Sequence, residues 1–189
     1  MGKIALIIVD VQNDFCPGGS LAVPRGDEVV PVINDLIQRF REKAQLIVAT
    51  RDWHPEEHCS FRLQGGPWPP HCIRGTEGAR FHHDLNLDEQ VLIISKGTQP
   101  DREAYSGFEG TDLQEKLQKA GVDQVYVCGL ATDYCVKATA LDARQGGFKT
   151  TVVTDAIRGV DVKEGDSQRA LGEMKGKGID LLLSREVEP

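Results

Sequence analysis

The apolar positions of the chain gather into six short runs: Ile4–Val9, Leu46–Thr50, Val91–Ser95, Gln124–Cys128, Thr150–Thr154 and Ile179–Leu183. Each is rich in β-branched residues and nearly continuous in apolar character. Strands covered on both faces, as in a parallel sheet, read this way. Between most of these runs the period changes to that of a helix. Val29, Ile33, Leu36, Ile37 and Phe40 repeat at helical spacing behind a cap at Asp27. Leu113, Leu117 and Ala120 repeat behind Thr111-Asp112-Leu113-Gln114, which has capping-box form, with Gly121 as a stop. A third helix is expected from about Thr132 to Gln145, before Gly146-Gly147, and a fourth over Asp166–Lys175, weakened by Gly172 and Gly176. The alternation predicts a single α/β domain over residues 1–189, doubly wound, with a six-stranded mainly parallel sheet and helices on both faces.

One stretch breaks the alternation. From Arg51 to Gln90 the periodicity is weak and Pro, Gly, His and Trp are frequent. Long irregular segments inside compact domains are usually functional. This one follows the second strand, at the edge where α/β sheets hold their ligands.

Composition narrows the classes of function. With 29 acidic against 22 basic residues the formal net charge is −7, and no run of Lys and Arg is present. A phosphate-backbone binder or an anionic-membrane binder needs such a run, so neither nucleic acid nor membrane is expected as a partner. The apolar run Ile4–Val9 ends at Asp10, too short for a signal sequence, and the expected location is cytoplasmic. The five cysteines are odd in number and follow no disulfide framework, which favours a free thiol. Whether the chain is a monomer or a homo-oligomer stays open.

Polar groups converge at the strand ends. The first predicted strand ends at Asp10, the second at Arg51-Asp52-Trp53-His54, the third at Lys96, and the fourth runs into Gly129-Leu130-Ala131-Thr132-Asp133-Tyr134-Cys135. Cys135 falls early in a helix, where free N–H groups and the helix dipole favour a thiolate and can hold an oxyanion. Position alone leaves it equally readable as a small buried packing residue. Asp10 alone reads as an Asx turn and Lys96 alone as a snorkelling lysine; beside Cys135, Lys96 would lower the pKa of both partners. Asp52-x-His54 places two ligands on one side of an extended segment, and the rigid Pro69-Pro70-His71 loop offers a third. One carboxylate and two imidazoles suit Zn, Fe or Mn. His58 reads as a ligand, an outer-sphere donor or a loop residue, while His82 and His83 read as solvated. Phe15, Trp68, Tyr105 and Phe108 would give flat walls to a ring substrate, with ordinary packing the alternative for Phe108.

The segments DVQNDFCPGGSL (10–21), RDWHPEEHCSF (51–61), GGPWPPHC (65–72), SKGT (95–98), AYSGF (104–108) and GLATDYCV (129–136) resemble, in order, the nicotinamidase/pyrazinamidase group of isochorismatase-like cysteine hydrolases. The resemblance implies an amidohydrolase that converts nicotinamide, and pyrazinamide, to the acid and ammonia through a thioester. It implies a catalytic triad of Asp10, Lys96 and Cys135, with the backbone N–H groups of Ala131 and Cys135 as oxyanion hole. A cis peptide would fall between Leu130 and Ala131. One divalent metal ion, zinc first and iron or manganese as alternatives, would sit on Asp52, His54 and His71, with His58 and Ser60 near it. The ring pocket would comprise Phe15, Leu21, Trp68 and Tyr105. The chain departs from the pattern at Arg102-Glu103-Ala104, ahead of Tyr105, and Glu56 and Glu57 offer further carboxylates near the metal. The alternative is another isochorismatase-like amidohydrolase with a different small amide substrate.

Overall fold

A computed structural model describes residues 2–189. Six strands form one sheet: β1 (Lys3–Val9), β2 (Leu46–Asp52), β3 (Leu92–Lys96), β4 (Val122–Leu130), β5 (Lys149–Arg158) and β6 (Asp180–Leu182). Every pairing is parallel, in the order β3-β2-β1-β4-β5-β6. All six expected strands are present, and β4 and β5 run further than their apolar cores. The four helices are α1 (Val29–Glu42), α2 (Leu113–Lys119), α3 (Lys137–Gln145) and α4 (Asp166–Gly176).

Side-chain alternation divides the buried residues into two cores. Leu6 and Ile8 of β1 point to the face that carries Ile33, Leu36, Ile37 and Phe40 of α1. Ala5, Ile7 and Val9 point to the opposite face, with Leu113 and Leu117 of α2, Ala140 and Ala143 of α3 and Met174 of α4. Burial on both faces explains why these strands read as continuous apolar runs. Strand order reverses between β1 and β4, and the crevice beyond their carboxyl ends is where such sheets bind ligands. Among the described residues no helix is long and apolar enough to cross a membrane.

Three helix starts differ from expectation. Asp27 lies in a 3-10 turn, Gly26–Glu28, and α1 begins after it without a side-chain cap. Ahead of α2, Thr111 Oγ1 accepts the Leu113 N–H at 3.3 Å, but Gln114 does not close a capping box. Its amide donates instead to the Gly146 carbonyl at 3.2 Å, a tertiary contact that outcompetes the local one. The third helix is preceded by a π-helical turn, Thr132–Val136, in which the Val136 N–H reaches the Ala131 carbonyl at 3.1 Å. Wide turns of this type recur at functional sites.

Phe40 is fully buried, with its ring edge-on to Tyr126 at a centroid separation of 5.8 Å. Phe40→Ala is expected to cost about 3–5 kcal/mol, read as a lowered urea midpoint. Leu63 is 87% exposed, and Leu63→Ser is expected to change stability by no more than about 0.5 kcal/mol.

Candidate active site

Asp10 is the first residue past β1 and takes a left-handed conformation (φ 49°) that aims its side chain into the crevice end of the sheet. Its Oδ1 accepts the Thr50 hydroxyl at 2.7 Å, and its Oδ2 lies 2.9 Å from Lys96 Nζ. No hydrogen bond is aligned on that second oxygen, so it keeps a lone pair for another proton. Lys96, the last residue of β3, is 1% exposed. Its ammonium donates to Asp52 Oδ1 at 2.6 Å, to the Ala104 carbonyl at 3.2 Å and to Cys135 Sγ at 3.4 Å. Asp10, Asp52 and Cys135 bring their polar side-chain atoms within 4.8 Å of one another. The three residues expected as a triad therefore meet, with Asp52 as a fourth member.

Four charged or ionisable groups packed this closely set one another's protonation. Burial pushes the Asp10 carboxyl up from its ordinary value, and Lys96 only partly offsets this. Burial also pushes the Cys135 thiol well up, against the pull of Lys96. Lys96 does pull both pKa values down, as expected, but desolvation is larger and the net shift of each group is upward. Burial would lower the Lys96 ammonium, yet Asp10 and Asp52 outweigh it and hold the charge in place. For Asp52 burial acts upward, but Lys96, His54 and His71 prevail and keep its carboxylate ionised.

The segment that leads to Cys135 is shaped by backbone constraints. At Gly129 (φ 110°) a Cβ would sit 2.1 Å from the Val9 carbonyl oxygen, so only glycine lets β4 pass this close to β1. The Leu130–Ala131 peptide is cis. The Ala131 N–H has no acceptor among the described residues, and both Ala131 and Cys135 line the neighbouring pocket.

A second cluster adjoins the first through Asp52. Its Oδ2 lies 3.5 Å from His54 Nε2 and 4.0 Å from His71 Nε2. His54 Nδ1 bonds the Gly97 carbonyl and His71 Nδ1 the Pro69 carbonyl, each at 2.8 Å. A carbonyl can only accept, so both Nδ1 atoms carry protons and both Nε2 atoms are left facing Asp52, where each can donate to the carboxylate or, without its proton, hold an ion. Imidazoles oriented by carbonyls in this way are suited to hold a divalent ion, and one carboxylate with two imidazoles leaves positions open for ligand. The donor set therefore fits a metal such as zinc.

His58 is not part of it. Its Nε2 faces the Arg102 carbonyl at 3.0 Å and its Nδ1 faces Ser60 Oγ at 2.7 Å, which uses both nitrogens. The ring stacks on His54 at 3.9 Å, and Ser60 serves His58. Glu56 and Glu57 are exposed and lie outside the cluster of ligand atoms. His82 and His83 stack on each other on the outer side of the molecule, away from this site, beside Asp84.

Beside both clusters opens a cleft of about 460 Å³, mouth included. Phe15, Leu21, Trp68 and Tyr105 line it as expected, and Phe108 does not, packing instead near Phe148. Trp68 Nε1 donates to the Tyr105 hydroxyl at 3.0 Å, which fixes both rings. Val23, Glu103, Tyr134 and Val160 also line the cleft and were not expected there. Two positioning residues also went unread. Gln12 accepts the Asp52 N–H and donates to the Asp52 carbonyl, each at 2.8 Å, and so clamps the shared carboxylate's backbone. Asp133 accepts the N–H groups of Val160 (2.9 Å) and Asp161 (2.8 Å), holding the segment that brings Val160 to the cleft.

Residues 4–186 match the isochorismatase domain family. The nicotinamidase of Escherichia coli K12 is 41% identical over 205 residues, covering 97% of this chain and 96% of that protein. Among solved structures, the pyrazinamidase of Pyrococcus horikoshii in complex with zinc is 56% identical, with a TM-score of 0.92 over 96% of this chain and 99% of that one. A protein from L. infantum in complex with nicotinate is 39% identical, with a TM-score of 0.89 over 97% of this chain and 94% of that one.

His71→Ala is expected to lose its divalent metal on dialysis, while Glu56→Gln retains it, both read by elemental analysis. Gln12→Ala unclamps Asp52 and should weaken metal binding by about 10–100-fold.

Proposed function

Because the chain belongs to the isochorismatase family, we propose from its site that it is a nicotinamidase, hydrolysing nicotinamide, and pyrazinamide, to the carboxylic acid and ammonia. The observation that carries this reading is the placing of a buried Asp10–Lys96–Cys135 triad against an aromatic-walled cleft that Asp52 and His71 also line, with His54 clustered behind them.

The chemistry follows from the protonation states. Cys135 rests as a thiol, and the Asp10 oxygen with no aligned donor is the base that takes its proton as the sulfur attacks the amide carbon. The C–S bond forms as the carbonyl electron pair moves to oxygen. The Ala131 N–H, with no acceptor of its own, and the Cys135 N–H hold that oxyanion. Collapse of the adduct breaks the C–N bond, and Asp10 returns the proton so that ammonia leaves. A water, deprotonated by Asp10, then cleaves the thioester and regenerates the thiol. Throughout, Lys96 keeps Asp10 and Asp52 in register and balances their charge.

A divalent ion, zinc for preference, would be held by Asp52, His54 and His71; when bound, it supplies a Lewis-acidic anchor for a ring nitrogen and so orients the substrate. The similar structures support the reading, since the Pyrococcus horikoshii pyrazinamidase is in complex with zinc and the L. infantum protein with nicotinate. Phe15, Trp68 and Tyr105 offer flat walls to such a ring, and Leu21 and Val23 add aliphatic lining.

The test is ammonia release from nicotinamide, pyrazinamide and a non-aromatic amide such as propionamide. The two aromatic amides should be turned over at least about 100-fold faster than propionamide, and preference for propionamide would overturn the ring pocket. Cys135→Ala should lower kcat by about 10⁴-fold or more. A Cys135→Ala protein as fast as the wild type would overturn the nucleophile.

A further inference from the structure

Hydrolysis of an amide changes the charge of the occupant of the cleft. The substrate is neutral, whereas the acid product carries a full negative charge at neutral pH. The cleft wall holds two carboxylates. Asp52 is compensated by Lys96 at 2.6 Å and by the two imidazoles. Glu103 is not: among the described residues no cation lies within ion-pairing distance of it. It is half-buried and lines the cleft next to Tyr105. Its one bond is from the Ala104 N–H to Oε1, at 3.0 Å.

We propose that Glu103 is a specificity-determining residue that acts by charge: its unpaired carboxylate disfavours anionic occupants of the cleft, so it weakens binding of the carboxylate product and of negatively substituted rings relative to the neutral amide. The inference rests on the amidohydrolase reading above. Like charges on one cleft wall and its ligand, at the separations that a single ring spans, alter relative affinity by about five- to tenfold. The effect reaches the neighbouring ring too. The Tyr105 hydroxyl is pushed up to about 12, by burial first and by Glu103 among the charges around it.

Glu103→Gln separates charge from shape, because a glutamine oxygen can still accept the Ala104 N–H. The experiment is calorimetric titration of metal-loaded Cys135→Ala protein with nicotinate and with nicotinamide, with and without Glu103→Gln. The ratio of the nicotinate Kd to the nicotinamide Kd is expected to fall about five- to tenfold in the Glu103→Gln protein and to return in Glu103→Asp. A ratio that stays within twofold while both ligands bind overturns the charge role and leaves the amidohydrolase reading standing. Failure of both ligands to bind the Glu103-containing protein overturns that reading, and this proposal with it.

Discussion

The buried ammonium of Lys96 is the interaction on which the rest of the site depends. It lies within 3.4 Å of a carboxylate just past β1, a carboxylate from β2 and the sulfur beyond β4. Without it two carboxylates would be buried side by side, a cost of several kcal/mol for each uncompensated charge. With it, the nucleophile and the candidate metal ligands form one network, with Asp52 belonging to both halves. Parallel strand order makes that possible. Because β2, β1 and β4 are neighbours, with β3 at the edge, their carboxyl ends deliver four side chains to one place.

The network also explains why the site keeps its thiol protonated at rest. Desolvation acts on Asp10 and Cys135 in the same direction and exceeds the pull of one lysine. A carboxylate with a raised pKa is a stronger base toward the thiol than an ordinary carboxylate would be. Much of the positioning is left to groups that carry no net charge. Gln12 clamps Asp52, backbone carbonyls orient His54 and His71, and Trp68 and Tyr105 hold each other.

Much of this was legible from residues alone, and what was not has identifiable causes. Strands buried on both faces announce themselves as apolar runs, so all six could be read, and their polar ends located Asp10, Lys96 and Cys135. The Asp52-x-His54 spacing and His71 behind Pro69-Pro70 pointed to the three residues that cluster as candidate metal ligands. Tertiary partners decided the rest. His58 has the same chemistry as His54, but Ser60 and the carbonyl of Arg102, 44 residues away, engage both its nitrogens and leave neither facing Asp52. Gln114 has the right spacing for a capping box and finds Gly146 instead. The π-helical turn at Thr132–Val136 has no periodic signature, since it depends on one carbonyl, Ala131, accepting from five residues ahead. Glu103 drew notice only as a departure from a motif; its place in the cleft wall is a property of the fold.

The contact between the Lys96 ammonium and the Cys135 sulfur opposes the desolvation that keeps that sulfur a thiol. It is tested most directly by the rate at which iodoacetamide alkylates Cys135 at pH 7.5, followed on the Cys135 peptide by mass spectrometry. The comparison is between wild type and Lys96→Met protein that retains the wild-type near-ultraviolet circular dichroism. Loss of the ammonium removes the one attraction that favours the thiolate, so alkylation should slow by about tenfold or more. An unchanged rate in the folded variant would contradict the account.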